Sequence, residues 1–242
     1  MDEKQEKLGR WLVPRGFPIA CGESVVVRAA SFDPAGFSEA LAESMHFEFP
    51  AKMRRAVPKR RAEFFAGRIL ALQGLQELGV KGGAVSQDDR RPVWPSGIVG
   101  SITHTTGLAA ALVARVEGVR GIGVDIEECM TEEVADRIAT RIVYPTDWSA
   151  IEDLVQLKKH QQATLVFSAK ESIYKCLNPL TGVFFGFEDA SIVSVNGDLC
   201  QLRFRLNKTL SEEFAQGYEG VVRYHVAPEH ITTVALLASQ HS

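Results

Sequence analysis

Two carboxylates stand within one short apolar segment, Gly-Ile-Gly-Val-Asp-Ile-Glu-Glu, at residues 121–128. Apolar residues alternate there with glycine and acid, which predicts a strand whose Asp125 and Glu127 side chains share one face. Adjacent carboxylates repel each other unless a cation or hydrogen bonds separate them. Because Mg²⁺ prefers oxygen ligands and often shares them with phosphate, the strand is a candidate metal and phosphate site. The alternative is a solvated strand edge, which is more common for a lone Asp-x-Glu.

A second cluster of acid and base, Lys-Glu-Ser-Ile-Tyr-Lys, follows at residues 170–175. It lies on a helix predicted from Thr164 to Leu177. Glu171 and Lys175 are four residues apart and share a helical stripe, so Glu171 offers a third carboxylate with a cation one turn away. We predict that this cluster meets the carboxylate strand, and the alternative is an exposed surface salt bridge.

A third polar set, Gly-Ser-Ile-Thr-His-Thr-Thr-Gly at residues 100–107, precedes an apolar run at 108–113. Between the glycines, Thr103 and His104 could bind a phosphate together with backbone N–H groups. The alternative is a turn whose histidine forms only local hydrogen bonds.

The most basic stretch of the chain lies around the start of another helix, predicted over residues 59–72 after Pro58. A helix N-terminus already carries partial positive charge, so many cations there indicate an anionic partner. The alternative is a solvated basic face with Glu63 as its internal partner. The cations are Arg54, Arg55, Lys59, Arg60 and Arg61.

Length and composition restrict the class of protein. The 242 residues allow one large domain or two smaller ones, and 45% apolar with 24% charged residues is typical of a folded chain. A net charge of −3 gives no general reason to expect nucleic-acid binding. The four cysteines form no disulfide or metal pattern, and the N-terminus predicts neither a signal peptide nor a membrane span. A cytoplasmic location is therefore expected.

The order of elements indicates two related halves. Residues 1–50 read as irregular apart from a strand at 24–30 and a short helix at 37–45, and short helices are expected on both sides of Pro145. Each half has strands, then a helix that carries Glu and basic residues, then more strands. This order predicts two related halves joined near Arg115 to Arg120, and the α+β pseudo-dimer with halves at 1–117 and 118–242 is what the family resemblance described below implies. The strands after the second helix are expected at 191–195, 199–206, 221–225 and 231–237.

Taken in this order, the three polar segments resemble the two-domain 4′-phosphopantetheinyl transferases of surfactin and enterobactin synthesis. The enterobactin-type branch is the most similar, because the basic helix with Ala-Gly-Arg and the Trp94-Pro95 loop also fit it. The resemblance implies an active site in the cleft between the halves, which binds CoA and Mg²⁺. It also implies transfer of the phosphopantetheine arm of CoA to a serine of a carrier protein, with release of 3′,5′-ADP.

The resemblance assigns roles to single residues of the second half. Asp125, Glu127 and Glu171 match the metal ligands of the family, and Lys175 matches a lysine that contacts the phosphates. Glu171 is the candidate general base, and Lys175 and His104 are candidate catalytic donors. The metal ligands and the catalytic helix would thus belong to residues 118–242.

The resemblance also implies CoA contacts in the first half. Thr103 and its histidine neighbour match a Ser-His phosphate contact. Lys59 or Arg61 would hold the CoA 3′-phosphate, and Arg91, or the preceding Arg90, is a further candidate. Where Phe167 stands, many relatives carry Trp, which is expected to change packing rather than chemistry.

Two other classes stay open. The same carboxylates could serve a Mg²⁺-dependent hydrolase of CoA or nucleotide diphosphates, or the chain could be a non-catalytic module that binds CoA or carrier proteins. The expected partners are CoA and acyl or peptidyl carrier domains, and the chain is expected to be a monomer. Carriers of fatty-acid, polyketide and peptide synthetases fit equally well.

Overall fold

The computed structural model describes residues 3–80, 85–88 and 91–239. The chain divides into two compact units, one of Met1–Phe17 and Cys21–Glu117 and the other of Pro18–Ala20 and Gly118–Ser242. Each unit contains an antiparallel sheet with a long helix packed against it. The predicted α+β class is therefore confirmed, whereas the separate roles of the two halves stay predictions.

The first unit contains a four-stranded sheet and a separate two-stranded hairpin. The strands are β1 (Leu12–Pro14), β2 (Val25–Phe32), β3 (Ser86–Asp88), β4 (Arg91–Val93), β5 (Ile98–Thr105) and β6 (Leu108–Arg115). The helices are α1 (Glu3–Trp11), α2 (Glu39–Ser44), α3 (Ala51–Arg54) and α4 (Pro58–Glu77). The order in the larger sheet is β1-β2-β6-β5, and β3 pairs with β4.

Helix α4 is the predicted basic helix, and it packs closely on β5 and β6. Pro58 occupies its first turn, where a missing N–H costs no intrahelical hydrogen bond. A Cβ on Gly67 would lie 2.6 Å from the Ile102 side chain, and a Cβ on Gly74 would lie 2.7 Å from Val113. These two glycines therefore permit the close approach of helix and sheet.

The polar segment at residues 100–107 is a hairpin rather than a loop between glycines. Thr103 and His104 lie within β5, where they pair with Ala110 and Ala109 of β6. Of the two flanking glycines, only Gly107 has a positive φ, +73°, and it forms the turn between β5 and β6. Pairing with β6 uses alternate backbone N–H groups of β5, and the phosphate contact of Thr103 and His104 stays a prediction.

The second unit contains a five-stranded antiparallel sheet with the order β7-β11-β10-β9-β8. Its strands are β7 (Val119–Glu128), β8 (Ala190–Asn196), β9 (Gln201–Leu206), β10 (Glu219–Val226) and β11 (His230–Ala238). Its helices are α5 (Glu132–Ile142), α6 (Pro145–Ile151) and α7 (Lys159–Thr181). Helix α7 packs against β7 and β11, and this places the two acidic segments of the sequence beside each other.

The contact between α7 and β7 depends on glycine. A Cβ on Gly123 would lie 1.8 Å from the backbone oxygen of Ser172 and 2.8 Å from the backbone nitrogen of Cys176. Both atoms belong to α7 and cannot move without moving the helix. Any larger residue at position 123 would therefore push α7 away from the strand.

Lys170 of α7 forms a buried ion pair in the interior of the second unit. Its Nζ donates hydrogen bonds to Asp147 Oδ2 at 2.6 Å and to the backbone oxygens of Ile142 and Phe187, both at 2.9 Å. The Asp147 carboxylate also accepts the backbone N–H of Ile192 at 2.6 Å. The prediction that the whole 170–175 cluster meets the carboxylate strand was therefore wrong for Lys170, which connects α7 to α5, α6 and the segment before β8 instead.

The N-terminal region is more regular than expected. Residues 3–11 form α1, which the sequence did not predict because only Leu8 and Trp11 of this charged segment are buried, too few for a clear periodicity. The short helix expected at 37–45 is α2, and α6 begins at Pro145 as expected. Within the part of the chain that the structure describes, no helix is both long enough and apolar enough to cross a membrane.

Candidate active site

Asp125 and Glu127 lie on the face of β7 that α7 covers. The alternation of side chains along the strand puts them on the same side as Gly123, which contacts the helix backbone. Asp125 is 3% exposed, and Glu127 is half-buried. The prediction that the two carboxylates share a face agrees with this strand.

Lys175 is the cation that α7 brings to these carboxylates. Its Nζ donates a 2.7 Å hydrogen bond to Asp125 Oδ1 and a 3.1 Å hydrogen bond to the backbone oxygen of Val124. The side chain of Lys175 is 28% exposed, so the ammonium can still be reached from solvent. The 170–175 cluster thus meets the carboxylate strand through Lys175.

Glu171 belongs to the same electrostatic neighbourhood. Burial, followed by the charge of Asp125, raises the pKa of Glu127 to about 8. The positive charge of Lys175 lowers this pKa, and the negative charge of Glu171 raises it further. Burial also raises the pKa of Glu171, where Lys175 opposes the rise and Asp125 adds to it. Three carboxylates therefore share one region in which a single lysine does not offset their repulsion.

This donor set fits a hard divalent cation. Carboxylate oxygens are the ligands that Mg²⁺ prefers, and an added positive charge would relieve the repulsion that keeps a proton on Glu127. Among the residues that the structure describes, no three His, Cys, Asp or Glu side chains are already arranged to hold a metal ion. The assignment of Asp125, Glu127 and Glu171 as metal ligands stays a prediction.

The first unit holds a separate polar cluster at the start of α4. The Arg60 guanidinium contacts His104 Nε2, and Glu63 Oε2 lies 3.6 Å from His104 Nδ1 and 3.5 Å from Arg60 Nη1. Lys59 donates a 2.9 Å hydrogen bond to Thr106 in the turn after β5. The structure therefore brings the predicted residues Lys59 and His104 to one end of the β5-β6 hairpin.

The other predicted phosphate contacts have different surroundings. Arg61 forms an ion pair with Glu39 of α2 and is mostly buried. Thr103 is buried in β5, and Arg91 lies exposed at the start of β4. Arg90 falls outside the described residues.

Three functional candidates were not assigned from the sequence: Arg60, Glu63 and Arg68. Arg68 is 5% exposed, its guanidinium lies 4.8 Å from the Phe64 ring, and its Nε has no hydrogen-bond partner within the described part of the chain. Burial lowers the pKa of Arg68 to about 10. Their helical spacing was a usable signal, since positions 60, 63 and 64 share one face of α4 with Arg68 one turn further on.

A carboxylate and lysine site on one unit and a basic cluster on the other are consistent with a class of protein that acts on phosphate esters with a divalent cation. Matches to family models agree with this class and specify the family. Residues 49–114 match the 4′-phosphopantetheinyl transferase N-terminal domain, and residues 121–234 match the 4′-phosphopantetheinyl transferase superfamily.

Named relatives give the same result. Enterobactin synthase component D of Salmonella typhi is 39% identical over 60% of this chain and 59% of that protein. The protein of the same name from Escherichia coli O157:H7 is 37% identical over 68% of this chain and 76% of its own length. The 4′-phosphopantetheinyl transferase PptT of Mycobacterium tuberculosis is 33% identical over 75% of this chain and 76% of that protein.

The chain therefore belongs to the 4′-phosphopantetheinyl transferase superfamily. The resemblance to the enterobactin-type branch is confirmed, and so is the prediction of a transferase of this class. The matched segment covers 59% of the Salmonella typhi relative, so that protein has further sequence outside the comparison.

Proposed function

We propose that this chain transfers the 4′-phosphopantetheine arm of CoA to a serine of an acyl or peptidyl carrier domain and releases 3′,5′-ADP. One observation carries the proposal most directly: Lys175 Nζ lies 2.7 Å from Asp125 Oδ1, beside two further carboxylates whose pKa values are raised. An arrangement of this kind is useful where a cation and a phosphate must be held together.

Asp125, Glu127 and Glu171 are the side chains that would hold the metal, for which we propose Mg²⁺. When bound, the ion would supply positive charge to the pyrophosphate oxygens while the phosphoanhydride bond breaks. Lys175 would then donate its N–H groups to a phosphate oxygen, in exchange for part of its present contact with Asp125. Three oxygen ligands also accept Mn²⁺, so both ions belong in the assay.

The chemical step needs a proton acceptor. The serine oxygen of the carrier forms a bond to the β-phosphorus of CoA, the bond from that phosphorus to the bridging oxygen breaks, and 3′,5′-ADP leaves with the electron pair. We propose that Glu171 accepts the serine proton, because burial raises its pKa and makes it a stronger base than an exposed carboxylate. A Glu171→Gln variant that keeps near-normal turnover would contradict this role.

The basic cluster of the first unit is suited to the phosphate groups of CoA. Arg60 and Lys59 present N–H donors beside His104 at one end of the β5-β6 hairpin. Arg68 is a buried guanidinium whose Nε lacks a hydrogen-bond partner within the described part of the chain. A guanidinium held in this way stabilises a phosphate more strongly than one in bulk water. The site between the two halves that one CoA would occupy stays a prediction of the resemblance.

The acceptor is a protein, so the chain also needs a docking surface. Carrier domains of this class are expected to be acidic near their serine, and two basic surfaces could attract them: residues 54–61 and the exposed Arg137 and Arg141 of α5. Charge reversal at the true docking surface should raise the KM for the carrier and abolish its salt dependence. The same change at the other surface should leave both unchanged.

Intact-protein mass spectrometry tests the proposed reaction. A purified apo carrier domain is incubated with this protein, CoA and Mg²⁺, and the carrier should gain the mass of one phosphopantetheine. EDTA and Asp125→Ala should each abolish the gain. Glu128→Ala is the matched control, since it removes an exposed carboxylate from the same strand.

The same experiment separates the alternatives. Cleavage of CoA without labelling of the carrier would show a hydrolase, and intact CoA with unlabelled carriers of several types would show a binding module. Either result would overturn the proposed transfer. We also propose that the chain acts as a monomer in the cytoplasm, where CoA and carrier domains occur together, and light scattering of the active protein tests the oligomeric state.

A further inference from the structure

Glu63 is a buried acid within the most basic segment of the chain. It is 8% exposed and lies on α4 between Arg60 and Arg68. A buried carboxylate costs free energy unless it is paired, so its presence here requires partners. Its Oε2 has two of them, Arg60 Nη1 at 3.5 Å and His104 Nδ1 at 3.6 Å.

Each of these three side chains contacts the other two, across α4 and β5. The Arg60 guanidinium contacts the Nε2 atom of the His104 ring, and Glu63 Oε2 lies 3.6 Å from its Nδ1 atom. The carboxylate therefore lies beside both the ring and the guanidinium, and its charge favours one arrangement of the two. The same carboxylate oxygen also restricts the guanidinium of Arg60, so one acid limits the freedom of two donors.

From this geometry we infer that Glu63 is a positioning residue, which orients His104 and Arg60 for a phosphate of CoA. The inference rests on the proposed function, because His104 and Arg60 need a phosphate ligand for their orientation to matter. Glu63 itself is 8% exposed, so we infer that it acts through these two neighbours rather than by touching the substrate. In metal sites, removal of a carboxylate that orients a ligating histidine typically costs about 10-fold to 100-fold, and we expect the lower end for a phosphate ligand.

Calorimetric titration of CoA, without any carrier, tests the inference. Glu63→Gln keeps the size of the side chain but removes its charge, and it should weaken CoA binding about tenfold. The matched control is Glu77→Gln, which removes another α4 carboxylate, the ion-pair partner of Arg28, and should leave CoA binding within about twofold of wild type. Wild-type affinity in Glu63→Gln would overturn the inference.

A double-mutant cycle with His104→Ala distinguishes positioning from a general effect on folding. If Glu63 acts through its neighbours, Glu63→Gln should lower kcat/KM for CoA about tenfold in wild type but about threefold or less in the His104→Ala background. The KM for the carrier should stay unchanged in both. An undiminished tenfold loss in that background would overturn the inference. Glu63→Asp, which keeps the charge, replaces Glu63→Gln if thermal melting shows that the latter does not fold.

Failure of the inference and failure of the proposed function give different results. If wild-type protein neither binds CoA nor labels a carrier, the proposed function is wrong. If wild-type protein does both and Glu63→Gln matches it, only the positioning role is wrong.

Discussion

Lys170→Met should destabilise the second unit strongly while it leaves the chemistry of transfer intact. The substitution removes the ammonium that pairs with Asp147, whose side chain is fully buried. Removal of one partner from a buried ion pair typically costs about 3–5 kcal/mol. Asp147 would keep the backbone N–H groups of Tyr144 and Ile192 as donors, so we expect a loss near the lower end, about 3 kcal/mol.

The assay is urea unfolding followed by tryptophan fluorescence, to which Trp148 on α6, next to Asp147, contributes together with Trp11 and Trp94 of the first unit. In a thermal scan the same loss corresponds to a decrease in Tm of about 6–12 °C for a chain of this size. The matched control is Lys159→Met at the exposed start of the same helix, which should change stability by about 1 kcal/mol or less.

Activity completes this comparison. At a temperature where both variants are folded, Lys170→Met should keep the wild-type kcat, whereas Lys175→Met should lose most of it. The Lys170→Met/Asp147→Asn double variant should recover part of the stability, because it leaves no unpaired buried charge. A loss below about 1 kcal/mol in Lys170→Met, or a selective loss of kcat, would refute the assignment of Lys170 to the interior.

Three further predictions concern the contact between α7 and the sheet. Gly123→Ala should cost about 3 kcal/mol or more in urea unfolding, because its Cβ would overlap the Ser172 backbone oxygen, and wild-type stability would contradict this contact. Thr233→Val should cost about 1–3 kcal/mol, because the Thr233 hydroxyl lies 2.9 Å from Ser168 Oγ and 2.7 Å from Ser172 Oγ, and adding Ser172→Ala should recover part of the loss. In EDTA, the metal-free protein should lose stability as pH rises from about 4.5 through about 8, because burial raises the folded-state pKa of Glu127 to about 8. The stability of the Glu127→Gln variant should therefore increase relative to wild type as pH rises. A difference in stability that does not change with pH would contradict the shifted pKa.

The carboxylate strand shows what sequence alone could predict. Alternation along residues 121–128 was sufficient to put Asp125 and Glu127 on one face, because the period of a strand is fixed by its backbone. The meeting of α7 with this strand was predicted from its acidic and basic residues, but the backbone contact at Gly123 was not. A glycine is consistent with a close contact, a turn or a bulge, and only tertiary structure distinguishes them.

The two lysines of α7 show a second limit. Lys170 and Lys175 are five residues apart, so their side chains point in directions that differ by about 140°. Helical spacing separates the two faces but does not say which face meets β7, because the partner of Lys170 lies on α6, outside the segment.

Helix α7 carries its interior ion pair and its candidate reacting groups on different faces of one rigid element. Glu171 and Lys175 therefore do not depend on the closure of a flexible segment, and their backbone positions are fixed when the second unit folds. Deuterium should enter the backbone amides of α7 only when that unit unfolds as a whole, later than those of the exposed helix α1. The slowest-exchanging amides of the second unit would then belong to the helix that carries the proposed reacting groups. Enzymes that place their reacting groups on mobile loops show the opposite pattern.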